Sequence, residues 1–478
     1  MTRALLPLAL ALLATGCAVG PNYRTPAPPP PSALKLSETD VAKITPSPLP
    51  ARWWRLFDDP DLDRLVEVAL SHNTDLRQAA ANLQRARASL SEARSGRFPG
   101  FNATAGYNRE RVNPAPLGGG TPITTDYYSV GADAAYEVDL FGGVTRSIQA
   151  ARADAQAAQA QVDASRVAVA AETASAYVQA CSFARQAAVA RETAGLQANT
   201  QALTQRLFDA GRGTERDVAE AEVLFQQTSA RTPTFEAEQK AALFALAVLT
   251  GDPPAALDAA AARCAAIPSV NQPIPVGDGQ ALLARRPDVH AAERTLAADV
   301  ARIGVATADL YPSISLGGVV TFGAAKPGDL DKHRSMTYSY GPLISWNIPL
   351  NGAARARVRE SRAQAQVSLA AFDGTVLTAL KDTEQALARL DGAVAREQAL
   401  AQAAAASERA ADLSDTRFRA GSDNFLQLLQ AQRDRANARA DYAQAQADRA
   451  AAQIRLFKAL GGGWENAPPI GARSLPTR

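Results

Sequence analysis

The chain has 478 residues, with 50 Lys and Arg against 48 Asp and Glu, and it is 47% hydrophobic but only 6% aromatic. The near-zero net charge of +2 argues against nucleic acid as a partner, because phosphate binding needs clustered excess Lys and Arg. A mean hydropathy of −0.15 excludes a bundle of transmembrane helices, each of which needs about 20 mostly apolar residues. The length predicts two or three ordinary domains or one elongated body.

Residues 1–16 have the layout of a signal peptide. Arg3 precedes an uncharged apolar stretch at 4–14, and Gly16 stands directly before Cys17. A cysteine at this point is the lipid acceptor of bacterial lipoproteins. We therefore expect export, cleavage before Cys17 and a covalent lipid on its thiol. The alternative is an ordinary secretory signal that ends near a cysteine.

An extended arm and a duplicated body follow. Residues 17–52 are rich in proline, which favours an extended conformation and cannot form a packed core. Beyond the arm, Tyr128-Ser129-x-Gly131 returns as Tyr338-Ser339-x-Gly341, and many further positions keep the same offset. The predicted segments are a first repeat at 53–265, a connector at 266–286, a second repeat at 287–465 and a tail at 466–478.

Each repeat is predicted to contain a helix, two strands, a very long helix, a turn and a return helix. The strands are expected at about 101–109, 127–140, 314–322 and 338–350. The long helices are expected at 143–210, 214–250, 352–420 and 424–460. Ala, Arg, Gln, Glu and Leu dominate these helices, and the small Ala side chains favour close, coiled-coil-like helix packing in place of aromatic residues.

The strands alternate between an apolar and a polar face. This holds along 127–140, and 338–350 has a matching apolar face. Segments of about ten residues with this pattern are typical of membrane-spanning β-barrels. We expect Asp133, Glu137 and Asp139 to line a barrel lumen, or else to be plain solvated positions. The alternative fold, one wet face of a β-sandwich, would need more strands than the chain has.

Four strands cannot close a barrel alone, since about eight are the minimum and an open edge in lipid leaves backbone groups unsatisfied. The chain must therefore share its barrel with copies of itself. Two copies would supply eight strands and three would supply twelve, and the residues alone leave both open.

The end of each long helix is marked by a glycine that suits the left-handed position, Gly211 in the first repeat and Gly421 in the second. The residues predicted to cap the return helices are Thr214 with Asp217, and Asp423 or Asn424 with Gln427. Each repeat is thus predicted to contain a helical hairpin whose turn lies far from its strands.

Two cysteines remain after Cys17, and we expect them in an oxidising compartment. Cys181 lies midway along its long helix and Cys264 lies near the connector, so that a disulfide is possible; two separate thiols are the alternative. The three histidines are scattered, and the sequence has no nucleophile motif, phosphate loop or metal-ligand spacing. We therefore expect no enzyme, no metal site and no cofactor other than the lipid on Cys17.

Several motifs carry a family resemblance. They are Gly16-Cys17-Ala18-Val19-Gly20-Pro21-Asn22-Tyr23-Arg24, Trp53-Trp54 with Phe57-Asp58-Asp59-Pro60 and Leu62, Leu283-Ala284-Arg285-Arg286-Pro287-Asp288-Val289 with Ala292 and Glu293, Gly421-Ser422-Asp423-Asn424-Phe425-Leu426 with Gln432 and Arg433, and Leu460-Gly461-Gly462-Gly463-Trp464. On these residues the chain resembles the outer-membrane factors of Gram-negative efflux and secretion systems. These are the TolC/OprM-like channels, and the resemblance is strongest to their lipoprotein branch, often called NodT-type.

The resemblance implies a mostly α, α+β membrane protein. In such a homotrimer, four strands per protomer form one twelve-stranded outer-membrane β-barrel, continuous with a long periplasmic α-helical barrel. It also implies outer-membrane lipid around the barrel, a periplasmic adaptor protein and an inner-membrane pump as partners. We expect the pump to be of the proton-driven RND type, and we expect no nucleic acid.

Family members carry a constriction at the start of the return helix of the second repeat, made of a Leu ring, an acidic ring and an Arg. The resemblance places these on Leu426, Gln430 and Arg433, with Asp423 beside them. The middle residue departs from the family, because an amide can only hydrogen-bond where a carboxylate would attract cations. Asp217 and Glu220 are candidates for restoring negative potential. The alternative is that Leu426 and Gln430 merely pack between hairpins.

The leading hypothesis for function is a passive duct for small solutes, drugs among them, driven by the pump. One alternative is the outer-membrane duct of a type I protein-secretion system. An alternative of another class is a periplasmic scaffold lipoprotein without a pore, whose strand segments would be soluble. A copper or silver exporter is disfavoured, since Met336 is the only methionine besides the initiator.

Overall fold

The computed structural model describes residues 18–27, 36, 43–112, 121–256, 258–264, 266–348 and 352–471. The predicted signal peptide, Cys17, most of the proline-rich arm and the end of the tail lie outside these ranges. The described chain divides into two compact units. The first contains residues up to 26, 83–158 and 291–372, and the second contains 27–82, 159–290 and 373 onward.

The helices and strands follow the predicted order. The α-helices are α1 (Pro60–His72), α2 (Thr74–Ser95), α3 (Gly143–Asp209), α4 (Glu215–Ser229), α5 (Arg231–Leu249), α6 (Ala259–Ala262), α7 (Gly279–Arg285), α8 (Pro287–Ala308), α9 (Ala353–Arg419) and α10 (Phe425–Ala459). The strands are β1 (Ile44–Thr45), β2 (Gly100–Val112), β3 (Ile123–Val138), β4 (Ile274–Pro275), β5 (Ser313–Ala324) and β6 (Met336–Ser345). Short 3-10 helices lie at Trp53–Phe57, Pro327–Asp329 and His333–Ser335.

The duplication is visible in the two longest helices. Both α3 and α9 have 67 residues, and each boundary of α9 lies 210 positions after that of α3 (353 − 143 and 419 − 209). The equal lengths match the sequence offset from which the repeats were inferred. The internal repeat therefore extends to the lengths of the two long helices.

The return helix of the first repeat is broken, where one helix over 214–250 was expected. It ends at Ser229 and restarts at Arg231. Pro233 explains the break, because its ring clashes with the carbonyl four residues earlier, at Ser229, and it has no N–H to donate. The equivalent position 210 residues later is Ala443, and there α10 runs unbroken.

The four long strands form one antiparallel sheet in the first unit, in the order β2-β3-β5-β6. The last strand is shorter than the predicted 338–350. It ends at Ser345, which pairs with Ser313, the first residue of β5, so the ladder has no partner beyond that point. Residues 346–348 follow without regular structure, and 349–351 lie outside the described ranges.

The core of the second unit brings together the motifs at both ends of the chain. Trp53 stacks on Phe457, with ring centroids 4.8 Å apart. Gly463 has a φ of +107°, and a Cβ there would lie 3.0 Å from Trp53 Nε1. A Cβ on Gly461 would lie 2.8 Å from Cγ of Arg286. The glycine run is therefore needed because tryptophan and arginine side chains pack directly on its backbone.

Candidate functional site

The sheet carries more of its exposed large apolar side chains on one face than on the other. Tyr136 pairs with Leu316, and two positions along, Ala134 pairs with Phe101 and with Gly318. Because side chains alternate along each strand, this register places the apolar positions of one strand beside those of the next. The exposed large apolar side chains on that face are Phe101, Tyr107, Val130, Leu316, Tyr338, Tyr340 and Ile344, against Ile123, Tyr127, Val319 and Leu343 on the other. Such a face suits contact with lipid.

Two of the three acidic residues predicted for a lumen lie on the opposite face. Asp133 and Glu137 are four residues apart in β3, and Asp133 Oδ1 accepts a hydrogen bond from Asn102 Nδ2 at 3.3 Å. Asp139 lies outside the strand, because β3 ends at Val138. Its carboxylate instead caps the start of α3 and accepts from the backbone N–H groups of Val144 at 2.9 Å and Thr145 at 2.8 Å.

The sheet has two open edges, β2 and β6. An unpaired edge inside a bilayer would leave backbone N–H and C=O groups without partners. The sheet is therefore complete only when each edge meets a strand of another copy.

The turns of the two helical hairpins have the same construction. Gly211 and Gly421 both have a φ of +74°. Thr214 forms a capping box with Asp217, and Asn424 forms one with Gln427. Of the two cap candidates in the second turn, Asn424 is therefore the cap.

Asp423 instead binds back to the preceding helix. Its Oδ1 accepts from Arg417 Nε at 2.7 Å, and its side chain is only 12% exposed. This ion pair holds the second turn against the end of α9. The negative charge of Asp423 is thus offset within its own chain.

Three of the predicted gate residues lie on one exposed face of α10. Leu426, Gln430 and Arg433 are spaced by four and three residues, which places them on one side of a helix, and all three are exposed. Leu426 keeps half of its surface exposed, at 50%. We call these three residues the tip stripe.

Packing between the hairpins belongs to other residues of α10. Leu428, Leu429 and Gln432 are buried. Gln432 Oε1 accepts from the hydroxyl of Thr200 on α3 at 3.0 Å. In this protomer, therefore, Leu426 does not pack between the hairpins of its own chain.

The two acidic residues proposed for restoring negative potential have partners in α4. Asp217 Oδ2 accepts from the backbone N–H of Thr214 at 2.9 Å and from its hydroxyl at 2.7 Å. Glu220 accepts from Arg216 Nε at 2.8 Å. Neither contacts the tip stripe among the hydrogen bonds and ion pairs of the described residues.

The two hairpins are joined by a group of ion pairs that the sequence did not predict. Arg439 of α10 binds Glu408 of α9 at 2.7 Å and Glu192 of α3 at 2.8 Å, and so connects three helices. Arg435, one turn closer to the tip stripe, is 9% exposed and lies 3.5 Å from Asp412. No local pattern marks these arginines, because their partners lie up to 247 residues away in the chain.

The disulfide left open by the sequence is formed in this structure. Cys181 and Cys264 are bonded, with their Cα atoms 5.1 Å apart and a sequence separation of 83. Cys181 is fully buried in the core of the second unit, and Cys264 is half-buried. The bond ties the middle of α3 to the segment that follows α6.

The segment directly after Cys17 is bound to the first unit. The N–H of Val19 donates to the carbonyl of Phe141 at 3.1 Å, just beyond the end of β3. Arg146, only 3% exposed, donates to the carbonyls of Ala18, Val19 and Gly20 at 3.0–3.3 Å. No motif around Arg146 indicates this role, because its partners lie more than 120 residues earlier in the chain.

Two kinds of feature are absent from the described residues. None of their helices is long and apolar enough to cross a bilayer. None of their His, Cys, Asp and Glu side chains form a group that could hold a metal ion.

Comparison with known proteins identifies the family. A family model described as outer membrane efflux protein matches residues 65–252 and 279–462. The outer membrane protein OprJ of Pseudomonas aeruginosa is 33% identical over 460 residues, covering 96% of this chain and 95% of the relative. Nodulation protein T of Rhizobium leguminosarum bv. trifolii is 30% identical over 464 residues, covering 96% and 97%.

The solved structures agree. The outer-membrane channel OprN has 35% identity and a TM-score of 0.88, and the match covers 94% of this chain and all of that one. This agreement with a solved outer-membrane channel confirms the predicted fold class. The predicted location is confirmed as well, since the relatives are outer-membrane proteins. The chain therefore belongs to the outer membrane efflux protein family.

Proposed function

We propose that the protein is the exit duct of a tripartite efflux system. A periplasmic adaptor and a proton-driven RND-type pump of the inner membrane deliver small solutes to it, and it conducts them passively across the outer membrane. The observation that carries the proposal is the combination, in one chain, of four barrel strands and two hairpins with 67-residue helices, in the fold of the channel OprN. The names of its relatives OprJ and TtgC, the latter an efflux pump outer membrane protein, support the same role.

The tip stripe is proposed to close the duct at rest. Three copies of Leu426 would form an apolar constriction, and three copies of Gln430 would form a ring of amides one turn further along α10. An apolar ring resists the passage of hydrated ions, and an amide ring has no charge with which to attract cations. The closed duct should therefore be less cation-selective than one with a carboxylate ring.

Conductance of the trimer in planar bilayers tests the gate. Leu426→Ala combined with Gln430→Ala should raise the closed-state current several-fold, because the constriction loses three isobutyl groups and three amides. Leu413→Ala is the matched control, since Leu413 is also exposed, at 65%, near the end of α9. An unchanged closed-state current in the double variant would place the gate elsewhere. A wild-type trimer without any conductance would instead support the pore-free scaffold.

Selectivity gives an independent measurement. Gln430→Glu should shift the reversal potential in a salt gradient towards cation preference, because each chain then adds one negative charge to the ring. Arg433→Gln should shift it in the same direction by removing a positive charge. Equal reversal potentials in wild type and both variants would show that the tip stripe does not face the conducting path.

We further propose that Cys17 carries the covalent lipid. Support comes from the three residues that follow it, because the carbonyls of Ala18, Val19 and Gly20 are held by Arg146 beside the end of β3. An anchor at Cys17 would thus be fixed next to the barrel strands. Mass spectrometry of the mature N-terminus tests this, and an unmodified Cys17 or cleavage elsewhere would contradict it.

A further inference from the structure

A basic cavity lies beside the segment that follows Cys17, within the first unit. Its volume is about 350 Å³. One wall is the bound N-terminal segment, and the others are parts of α3 and α8. The lining residues that matter here are Pro21, Asn22 and Tyr23, with the arginines Arg146, Arg152 and Arg294.

The charge of this cavity is positive. No Asp or Glu is among its described lining residues. Arg294 is paired with Glu293, which also accepts from the hydroxyl of Tyr23. Arg146, by contrast, donates to carbonyl oxygens and to the side-chain amide oxygens of Asn22 and Gln149, and within the described ranges it forms no ion pair with a carboxylate.

Arg152 is the exposed member of the set. It forms no ion pair among the residues that the structure describes. Arg146 and Arg152 therefore leave about two positive charges around a cavity large enough for a phosphate group. Guanidinium groups bind phosphate oxygens in pairs, which makes arginine a preferred phosphate ligand.

The position of the cavity indicates where its ligand comes from. Arg146 follows the first residue of α3 by three positions, and α3 begins just after β3. Arg152 lies six residues further on, or about 9 Å along the helix. The headgroup layer on each side of a bilayer is about 5–8 Å deep, and arginine side chains extend by several ångström towards it. If the strands span the bilayer, the cavity lies at the level of the headgroups.

We propose that this cavity binds the phosphate group of an anionic phospholipid in the same leaflet that holds the lipid of Cys17. The proposal rests on the lipid anchor proposed above for the choice of leaflet, whereas the wall formed by residues 21–23 belongs to the docked segment itself. A basic residue close to an anionic membrane surface contributes about 1 kcal/mol, which corresponds to about fivefold in affinity. One bound phospholipid per chain would add a second membrane contact to the anchor.

Native mass spectrometry of the purified, lipidated trimer tests the proposal. The probes are phosphatidylglycerol and phosphatidylcholine, offered at equal concentrations. We expect phosphatidylglycerol to be retained preferentially and Arg152→Gln to reduce its retention about fivefold. Arg152→Lys should keep most of it. The matched control is Arg185→Gln, since Arg185 is also an exposed arginine of α3 but lies outside the cavity.

The outcomes separate the possible ligands. Equal retention of both lipids, or equal loss in the Arg152 and Arg185 variants, would overturn the proposal. Displacement of phosphatidylglycerol by an excess of inorganic phosphate would show a site for free anions and would overturn it too. The mass of Cys17 is measured on the same sample. A lipidated Cys17 without phospholipid preference refutes the cavity alone, whereas preference with an unmodified Cys17 refutes the anchor alone.

Discussion

Removing the Arg439 side chain should loosen the hairpins near the tip stripe. Its guanidinium binds Glu408 on α9 at 2.7 Å and Glu192 on α3 at 2.8 Å. The residue lies 14 positions after the start of α10, about 21 Å from the second turn. Arg439→Ala removes both contacts and leaves α10 less firmly attached to the two long helices.

The size of the effect follows from the exposure of the partners. The Arg439 side chain is 25% exposed, Glu408 is 35% exposed and Glu192 is 60% exposed. Exposed ion pairs contribute about 0.2–1 kcal/mol each, and the partly buried pair with Glu408 belongs at the upper end. Together they amount to about 1–2 kcal/mol. A detached arrangement of α10 should therefore become about five to thirty times more populated.

Closed-state conductance of the reconstituted trimer is the measurement, and we expect Arg439→Ala to raise it in that proportion. Arg455→Ala is the matched control, because Arg455 is an exposed arginine of α10 with no ion pair among the described residues. A double-mutant cycle with Glu408→Ala adds specificity, since variants of interacting residues are not additive. Equal currents for the Arg439 and Arg455 variants would refute the reasoning.

Three further predictions concern stability and the strand ends. Without reductant, neither Cys181 nor Cys264 should react with an alkylating agent in the denatured chain, and two reactive thiols would contradict the disulfide. Reduction should destabilise the second unit by up to about 4–5 kcal/mol, the value for a sequence separation of 83. Burial tends to raise the pKa of Asp288, but hydrogen bonds and charge from Arg286 outweigh it and lower the pKa below 3.8. Asp288→Asn should therefore reduce thermal stability at pH 7, and the difference from wild type should shrink as the pH falls below 3.8. Asp139→Ala should lower the melting temperature without changing ion selectivity, whereas Glu137→Ala should change selectivity; the reverse pattern would restore Asp139 to the lumen.

The sequence predicted most of the elements because their signals are local. Gly211 and Gly421 suit the left-handed conformation that ends a helix, and both adopt it. The equal offset between repeats predicted two long helices of one length, and both have 67 residues. The break in the first return helix was also a local signal. Pro233 carries it, because a proline inside a helix clashes with the carbonyl four residues earlier, here that of Ser229.

The parts of the site that could not be predicted depend on contacts between residues far apart in the chain, or on the residue at which a strand ends. Alternation along β3 gives the face of each residue but not the last residue of the strand, so Asp139 was placed on a lumen face that the strand does not reach. Arg146 and Arg439 bind groups more than 120 residues away, at 18–22 and at Glu192 respectively. Periodicity shows which face of a helix is polar, but not which polar residue has a partner.

The charges around the tip stripe make position 430 decisive for the net charge of the constriction. Asp423 and Glu220 are each paired with an arginine, and Asp217 caps α4, so these carboxylates are already occupied within the chain. We infer that the net charge of the stripe comes from Arg433, since Leu426 and Gln430 carry none. An acidic residue at position 430 would offset that charge and bring both signs to the constriction. With glutamine there, the closed state rests on leucine packing and amide hydrogen bonds, neither of which changes with pH or salt as an ion pair would.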